Sequence, residues 1–219
     1  MSRVYVFCEG KRDKLFLKKL IKEKRNLTAS QIELTKLDNL IRDRRFEGIA
    51  LIECGGYDKL LKQAARRARD IALNPETLPH AEIIVVGDSD NVDTAKFMAR
   101  LNSQIQKLKH KNKILDVSEE QGNRVILKNL RKDRTIRVQV LTVPGNLEKQ
   151  LADNVRRLAR EEVKDQTDDR VIHYYCNSKY NCNEEEMMNN DNDVVGPLLD
   201  SSWAKKIIES LKIACVGHG

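Results

Sequence analysis

Short apolar segments alternate with longer amphipathic segments over the first two thirds of the chain. Three apolar runs are rich in β-branched and aromatic residues and have the length of buried strands: 3–8, 49–53 and 83–87. Each precedes a segment whose apolar residues recur at helical spacing: 11–24, 57–73 and 94–109. This alternation predicts an α/β fold in which helices flank a mostly parallel sheet.

The remaining segments are less regular. The pattern predicts a helix at 32–41, a strand pair at 124–130 and 135–143, a helix at 147–163, a short strand at 171–176, a polar loop at about 177–193 and a final helix at 203–214. We therefore expect a main domain at residues 1–145. A C-terminal helical extension at 146–219 is expected to pack on it.

Composition limits the class of protein. The chain has 219 residues, of which 40% are hydrophobic and 33% charged, enough for one sizeable core under a densely ionic surface. No run approaches the roughly 18 apolar residues of a membrane helix, so no membrane partner is expected. The first residues lead directly into a strand, without a signal-peptide pattern, and the five cysteines form no CxxC pair. We expect a cytoplasmic protein without disulfides.

The balance of charge favours a polyanionic partner. The formal net charge is +7, although residues 184–193 contain five acids and no base. A basic surface is typical of proteins that bind DNA or RNA, but lysine and arginine also solvate helix faces in many proteins. Nucleic acid is therefore the first partner to consider.

Carboxylates follow two of the predicted strands. Glu9 comes directly after the first strand, and Asp88 and Asp90 come after the third. The carboxyl ends of parallel strands meet at one edge of a sheet, where ligands bind. Carboxylates brought together there repel one another unless a cation lies between them. The sequence predicts that Glu9, Asp88 and Asp90 bind Mg²⁺ or Mn²⁺.

Two motifs together resemble the Toprim domain. They are Glu9-Gly10-Lys11-Arg12-Asp13 after the first strand and Asp88-Ser89-Asp90 after the third, and the Gly55-Gly56 pair also recurs in that fold. Toprim is the metal-dependent core of topoisomerases, bacterial-type primases, OLD-type nucleases and small RNA maturases. The resemblance covers residues 3–143 and points to the small standalone Toprim proteins related to OLD-type nucleases and RNA maturases. The chain lacks the tyrosine-bearing module of topoisomerases and the zinc modules of many primases.

This resemblance implies a Mg²⁺-dependent nuclease acting on DNA or RNA. Glu9 would bind the metal or act as general base or acid, and Asp13 would orient Lys11 or a metal-bound water. Lys11 and Arg12, at the start of a helix, could hold a phosphate. We therefore take Glu9, Asp13 and Lys11 as catalytic candidates. Glu148, in a later helix, could join them.

Several alternatives stay open. Asp88 could be a helix N-cap and Asp90 a turn residue, and the protein could be a non-catalytic nucleic-acid-binding scaffold or a primase-like nucleotidyl transferase. A haloacid-dehalogenase-type phosphatase would place its Asp-x-Asp pair on the first strand, and a response-regulator receiver would need acids near that strand. The spacing of His173, Cys176 and Cys182 fits no standard zinc finger. The sequence leaves open a homodimer or an ATPase partner.

Overall fold

One seven-stranded sheet forms the centre of the protein. The computed structural model describes residues 3–25, 29–42, 46, 48–74, 80–89, 93–110, 114–120, 123–132, 134–159, 163 and 166–216. The strands are β1 (Arg3–Cys8), β2 (Ala29–Ile32), β3 (Gly48–Glu53), β4 (His80–Asp88), β5 (Leu115–Glu120), β6 (Arg124–Asn129) and β7 (Arg134–Val143). Their order is β2-β3-β1-β4-β7-β6-β5. Neighbours are parallel from β2 to β7, and β6 is antiparallel to both β7 and β5.

Helices cover both faces of this sheet, which confirms the predicted α/β class. They are α1 (Lys11–Arg25), α2 (Leu37–Arg42), α3 (Tyr57–Leu73), α4 (Thr94–His110), α5 (Leu147–Ala159), α6 (Asp168–Tyr180), α7 (Glu184–Asn190), α8 (Asn192–Leu199) and α9 (Ser202–Val216). None of these helices, within the described residues, is long and apolar enough to cross a membrane.

Alternate residues of β1 pack on opposite faces because successive strand side chains point in opposite directions. Val4 and Val6 join the apolar cluster formed with α1 and α5–α9. Tyr5 and Phe7 join the second cluster, formed with α2, α3 and α4. All four are fully or almost fully buried, as expected for the central strand of a parallel sheet.

The C-terminal helices share a core with the N-terminal strands. Leu151 of α5, Val195 of α8 and Trp203 of α9 belong to the same buried cluster as Val4. The Trp203 ring lies 5.2 Å from that of Phe16 on α1, measured between ring centroids. The apolar cluster is therefore continuous across the predicted division at residues 145–146, and that division stays a prediction.

The two edge strands, β2 and β5, differ from the elements that the sequence predicted. Part of the helix predicted at 32–41 is wrong, because β2 ends at Ile32 and α2 begins only at Leu37. The strand β5 was not predicted at all. Both lie at the edges of the sheet, and β2 is largely exposed. These strands are held by pairing, β2 with β3 and β5 with β6, rather than by burial of both faces. Their apolar pattern is therefore weak, and the sequence gives little signal for them.

The strand predicted at 171–176 and the polar loop predicted at 177–193 are both wrong. The first segment lies within α6, and the second contains the end of α6, all of α7 and the start of α8. A short apolar run cannot distinguish a strand from a helix by periodicity alone. The acidic segment becomes helical because Met187 and Met188 are buried against the core and Asn183 caps α7 through the Glu186 N–H.

Candidate active site

The turn after β1 is fixed by backbone hydrogen bonds to the neighbouring strand connection. The carbonyl of Glu9 accepts hydrogen bonds from Gly55 N (2.8 Å) and Gly56 N (3.0 Å). Both glycines have positive φ, 75° and 112°, a conformation that favours glycine over other residues. The Gly55-Gly56 pair therefore positions the backbone of Glu9 at the carboxyl edge of the sheet.

The side chain of Glu9 points towards the end of β4. Its Oε1 accepts a 2.9 Å hydrogen bond from the backbone N–H of Asp88. β1 and β4 are parallel neighbours, so Glu9, which follows β1, and Asp88, which ends β4, come together at one edge of the sheet as the sequence predicted. The side chain of Asp88 in turn reaches the start of α5, where its Oδ1 accepts a hydrogen bond of 3.4 Å from Leu147 N.

Close packing constrains the last residue before Asp88. A Cβ atom on Gly87 would lie 2.7 Å from Cζ of Phe97, and 3.2 Å from Oε1 of Glu9. Only glycine leaves room there for both the aromatic ring of α4 and the carboxylate.

Asp13 lies in the first turn of α1 and caps the start of the helix. Its Oδ2 accepts a 2.8 Å hydrogen bond from Gly10 N, which satisfies one of the backbone donors left open at a helix N-terminus. Burial raises the pKa of Asp13 to about 6, the Gly10 hydrogen bond opposes that rise, and the charges of Glu9, Glu53 and Glu148 add to it. This carboxyl therefore titrates close to neutral pH. Lys11 is exposed at the mouth of the same cleft.

Arg12 links α1 to three helices of the C-terminal half. Its Nη1 donates to Glu148 Oε2 of α5, and its Nη2 donates to Asp169 Oδ1 of α6 and to Glu184 Oε1 of α7, each at 2.7 Å. Its Nε also donates to Glu184 Oε1, at 3.2 Å. A planar guanidinium can donate to several carboxylates at once through its Nε, Nη1 and Nη2 groups, whereas the single ammonium of a lysine cannot reproduce this geometry. We call Arg12, Glu148, Asp169 and Glu184 the Arg12 cluster.

These side chains line one open cleft of about 510 Å³ at the carboxyl edge of the sheet. Six of the lining residues are acidic and two are basic; the lining consists of Glu9, Gly10, Lys11, Arg12, Asp13, Gly55, Gly56, Asp88, Glu148, Asp169 and Glu184. The chain as a whole carries a net charge of +7, so the net charge of the cleft lining is opposite in sign to that of the protein. A cleft with walls of one charge attracts counter-ions, here cations.

The structure brings together most of the predicted site residues. Glu9, Lys11, Asp13 and Asp88 line the same cleft, and Glu148 joins them. Asp90 lies outside the described residues. Within the described residues, no three His, Cys, Asp or Glu side chains lie close enough together to hold a metal ion. Any metal site assembled from the residues described here therefore rests on fewer than three protein ligands.

Sequence reasoning missed Asp169 and Glu184 and did not connect either with Arg12. Both acids lie in the first turn of a helix, where a negative charge stabilises the helix dipole. Recognising helix starts just before the predicted strand at 171–176 and within the predicted loop at 177–193 could have identified Asp169 and Glu184 as first-turn acids. Their approach to Arg12 spans more than 150 positions and has no local signal.

The residues considered for zinc do not form a common face. His173 is exposed and Cys176 is buried on α6, while the exposed Cys182 donates to Asn177 Oδ1 at 2.9 Å. The packing of Cys176 is that of a small buried apolar residue.

Comparison with known proteins gives a family without an assigned activity. The sequence pattern of the family described as "Protein of unknown function (DUF3226)" matches residues 3–193, which include every residue that lines the cleft. No curated protein matches the chain. A match over most of its length establishes that the chain belongs to the DUF3226 family.

Proposed function

We propose that the cleft is the active site of a metal-dependent nuclease, which cleaves phosphodiester bonds of DNA or RNA in the cytoplasm. The observation that supports this most is the contact between Glu9 Oε1 and Asp88 N at 2.9 Å. It joins two carboxylate-bearing strand ends in an acidic cleft of a basic protein. A polyanionic substrate can approach such a cleft only if a cation neutralises its walls.

The donors in the cleft fit a hard divalent cation. Mg²⁺ prefers carboxylate oxygen, keeps several waters and needs only one or two protein carboxylates. Glu9 and Asp88 supply two such carboxylates at the ends of adjacent strands, and Asp90 comes two positions after Asp88 in the sequence. The bound ion would stabilise charge on the phosphoryl oxygens and lower the pKa of a coordinated water.

The other side chains would position the substrate. Lys11 is exposed at the cleft mouth beside the N-terminus of α1, where a phosphate oxygen finds both a positive charge and backbone donors. Asp13 holds the Gly10 N–H and so fixes the start of that helix. Arg12 holds α5, α6 and α7 beside the cleft by pairing with one carboxylate on each helix.

The Toprim resemblance supports the same proposal. Glu9 and Asp88, the first residues of its two motifs, lie at the ends of β1 and β4, and these strands are neighbours in the sheet. A Toprim-related centre would use the glutamate and the Asp-x-Asp pair at one metal site. Primase-like nucleotidyl transfer and non-catalytic nucleic-acid binding are the alternatives that the experiment has to separate from cleavage.

The decisive variant is Glu9→Gln. The amide oxygen of glutamine can still accept the Asp88 N–H, so the fold should persist while the negative charge is lost. We expect wild type with Mg²⁺ or Mn²⁺ to cleave single- or double-stranded DNA or RNA. Glu9→Gln should lose cleavage and bind Mn²⁺ at least tenfold more weakly by calorimetry.

The matched control is Glu185→Gln. Glu185 is exposed on α7 and pairs with Lys18, so the variant removes the same charge from the same region of the protein. It should retain wild-type cleavage. If wild type leaves all four substrates intact with either metal, the nuclease proposal fails. Salt-dependent binding in those samples would then identify a scaffold, and incorporation of labelled NTPs a nucleotidyl transferase.

A further inference from the structure

A second charged cavity lies at the opposite edge of the sheet from the active-site cleft. α3 begins after the carboxyl end of β3 and ends at Leu73, before the amino end of β4. Its last two turns therefore lie beside the amino ends of the strands. There they form, with α2, a cavity of about 620 Å³, lined by Asp38, Ile41, Arg42, Arg66, Arg69, Asp70, Leu73 and Asn74.

Arginine dominates the charge of this cavity. Arg42, Arg66 and Arg69 are part of its wall, against the two carboxylates of Asp38 and Asp70. Asp70 already accepts from Arg69 Nε at 2.9 Å and lies 3.7 Å from Arg66 Nε. The carboxylates of the wall are thus shared among several guanidinium groups.

Two further arginines lie buried against the same wall. Arg67 is 5% exposed, pairs with Asp38 through its Nη1 and lies 3.6 Å from Asp70 Oδ2. Arg3, at the start of β1, is 1% exposed, and its Nη1 lies 3.5 Å from the carbonyl of Ile41, a lining residue. Arg66, Arg67 and Arg69 thus share Asp70, and Arg67 also pairs with Asp38.

Some donors of the two buried arginines have no acceptor. Among the residues that the structure describes, Nε and Nη2 of Arg3 and Nε of Arg67 make no hydrogen bond. Buried polar groups without partners are rare in folded proteins, and a buried charge without compensation is strongly unfavourable. These donors lie behind the lining of the cavity, and their positive charges add to those of Arg42, Arg66 and Arg69 in its wall. An anion in the cavity would balance this excess of positive charge over Asp38 and Asp70.

We propose that this cavity binds a phosphate group. Guanidinium groups present planar pairs of N–H donors that match the spacing of phosphate oxygens, so several arginines around one cavity favour phosphate over a carboxylate. The phosphate belongs either to a free anion such as pyrophosphate or to a nucleic-acid strand. This site is separate from the cleft and does not rest on the proposed nuclease activity.

A structural role for the same arginines is the main rival. Positive side chains near the last turn of α3 also offset the negative end of its helix dipole. In that case, removing Arg66 and Arg69 would lower stability, but it would not change the response to phosphate.

The test compares two double variants that remove the same charge. Arg66→Gln with Arg69→Gln alters the wall of the cavity, and leaves the buried Arg3 and Arg67 in place so that the protein can fold. Arg131→Gln with Arg157→Gln alters two exposed arginines outside the cavity and is the control. Inorganic phosphate and pyrophosphate are titrated up to about 10 mM by calorimetry and by thermal unfolding.

We expect pyrophosphate to bind wild type and the control equally, and the cavity variant at least tenfold more weakly. A DNA oligonucleotide with and without a 5′-phosphate separates the two sources of phosphate. If the cavity variant weakens only pyrophosphate, the ligand is a free anion. If it also weakens the oligonucleotide, the cavity contacts a strand. No pyrophosphate binding to wild type, or equal binding by both double variants, would overturn the proposal. Glu9→Gln should bind pyrophosphate as wild type does, whatever its nuclease activity.

Discussion

Replacing Arg12 by alanine should destabilise the whole protein, because one side chain links α1 to α5, α6 and α7. Arg12 has 19% of its side chain exposed, and its partner Glu184 has 18%. Glu148 and Asp169 are more exposed, at 41% and 66%. Without the guanidinium, the three carboxylates lose the side chain that pairs with all of them.

The magnitude follows from the exposure of each pair. A partly buried, charge-assisted hydrogen bond such as that to Glu184 contributes about 1.5–3 kcal/mol. The pairs with Glu148 and Asp169 reach solvent and add roughly 0–1 kcal/mol each. The expected loss for Arg12→Ala is about 3 kcal/mol. For a chain of this length that corresponds to a Tm lower by about 6–12 °C.

The assay is urea and thermal unfolding followed by circular dichroism, with Lys18→Ala as control. Lys18 lies on the same helix and makes one pair, 2.8 Å from Glu185, with side chains 38% and 50% exposed. This control should cost less than about 1 kcal/mol. The reasoning is refuted if Arg12→Ala lies within about 1 kcal/mol of wild type, or is no less stable than Lys18→Ala.

Two further predictions concern packing and pH. Gly87→Ala should lower the free energy of unfolding by about 1–3 kcal/mol, because the new Cβ would lie 2.7 Å from Cζ of Phe97. Adding Phe97→Leu should restore part of that loss in urea unfolding, and no recovery would contradict the steric explanation. Burial raises the pKa of Asp191, but hydrogen bonds from Tyr175, Lys179, a second tyrosine and a backbone N–H outweigh it, and the net pKa is lowered. A carboxylate with a lowered pKa stabilises the fold above its unfolded pKa, and that stabilisation is lost as pH falls through the folded value. Wild type should therefore exceed Asp191→Asn in stability at pH 7, by an amount that shrinks below about pH 4 in unfolding series. A difference that is constant across pH would contradict this explanation.

Much of the candidate site was predictable because strand ends have local signals. Apolar runs placed β1 and β4, and their last residues identified Glu9 and Asp88 as carboxylates at one edge. Parallel strands joined by helices bring their carboxyl ends to the same side of a sheet, so the contact at 2.9 Å followed from topology. The sequence also marked the Gly55-Gly56 pair as the end of a strand, but its positive φ values and its hydrogen bonds to Glu9 were visible only in the structure.

The surroundings of the site were not predictable in the same way. The segment with Glu184 is polar enough to suggest a loop, and only the burial of Met187 and Met188 against the core makes it helical. Short helices gain most of their stability from packing, so their own composition is a poor guide. Edge strands such as β2 are equally hard to predict from sequence, because pairing with a neighbouring strand holds them and their apolar pattern is weak.

The sequence alone determined the α/β class, the alternation of β1, β3 and β4 with the helices that follow them, and two acidic strand ends, because burial imposes a period on each element separately. Only the tertiary structure decided that Arg12 meets Glu148, Asp169 and Glu184, that Arg3 reaches the carbonyl of Ile41, and that Arg67 pairs with Asp38. These contacts join residues far apart in the chain. They depend on which helices share a face of the sheet, and no local pattern of charge or hydrophobicity records that choice.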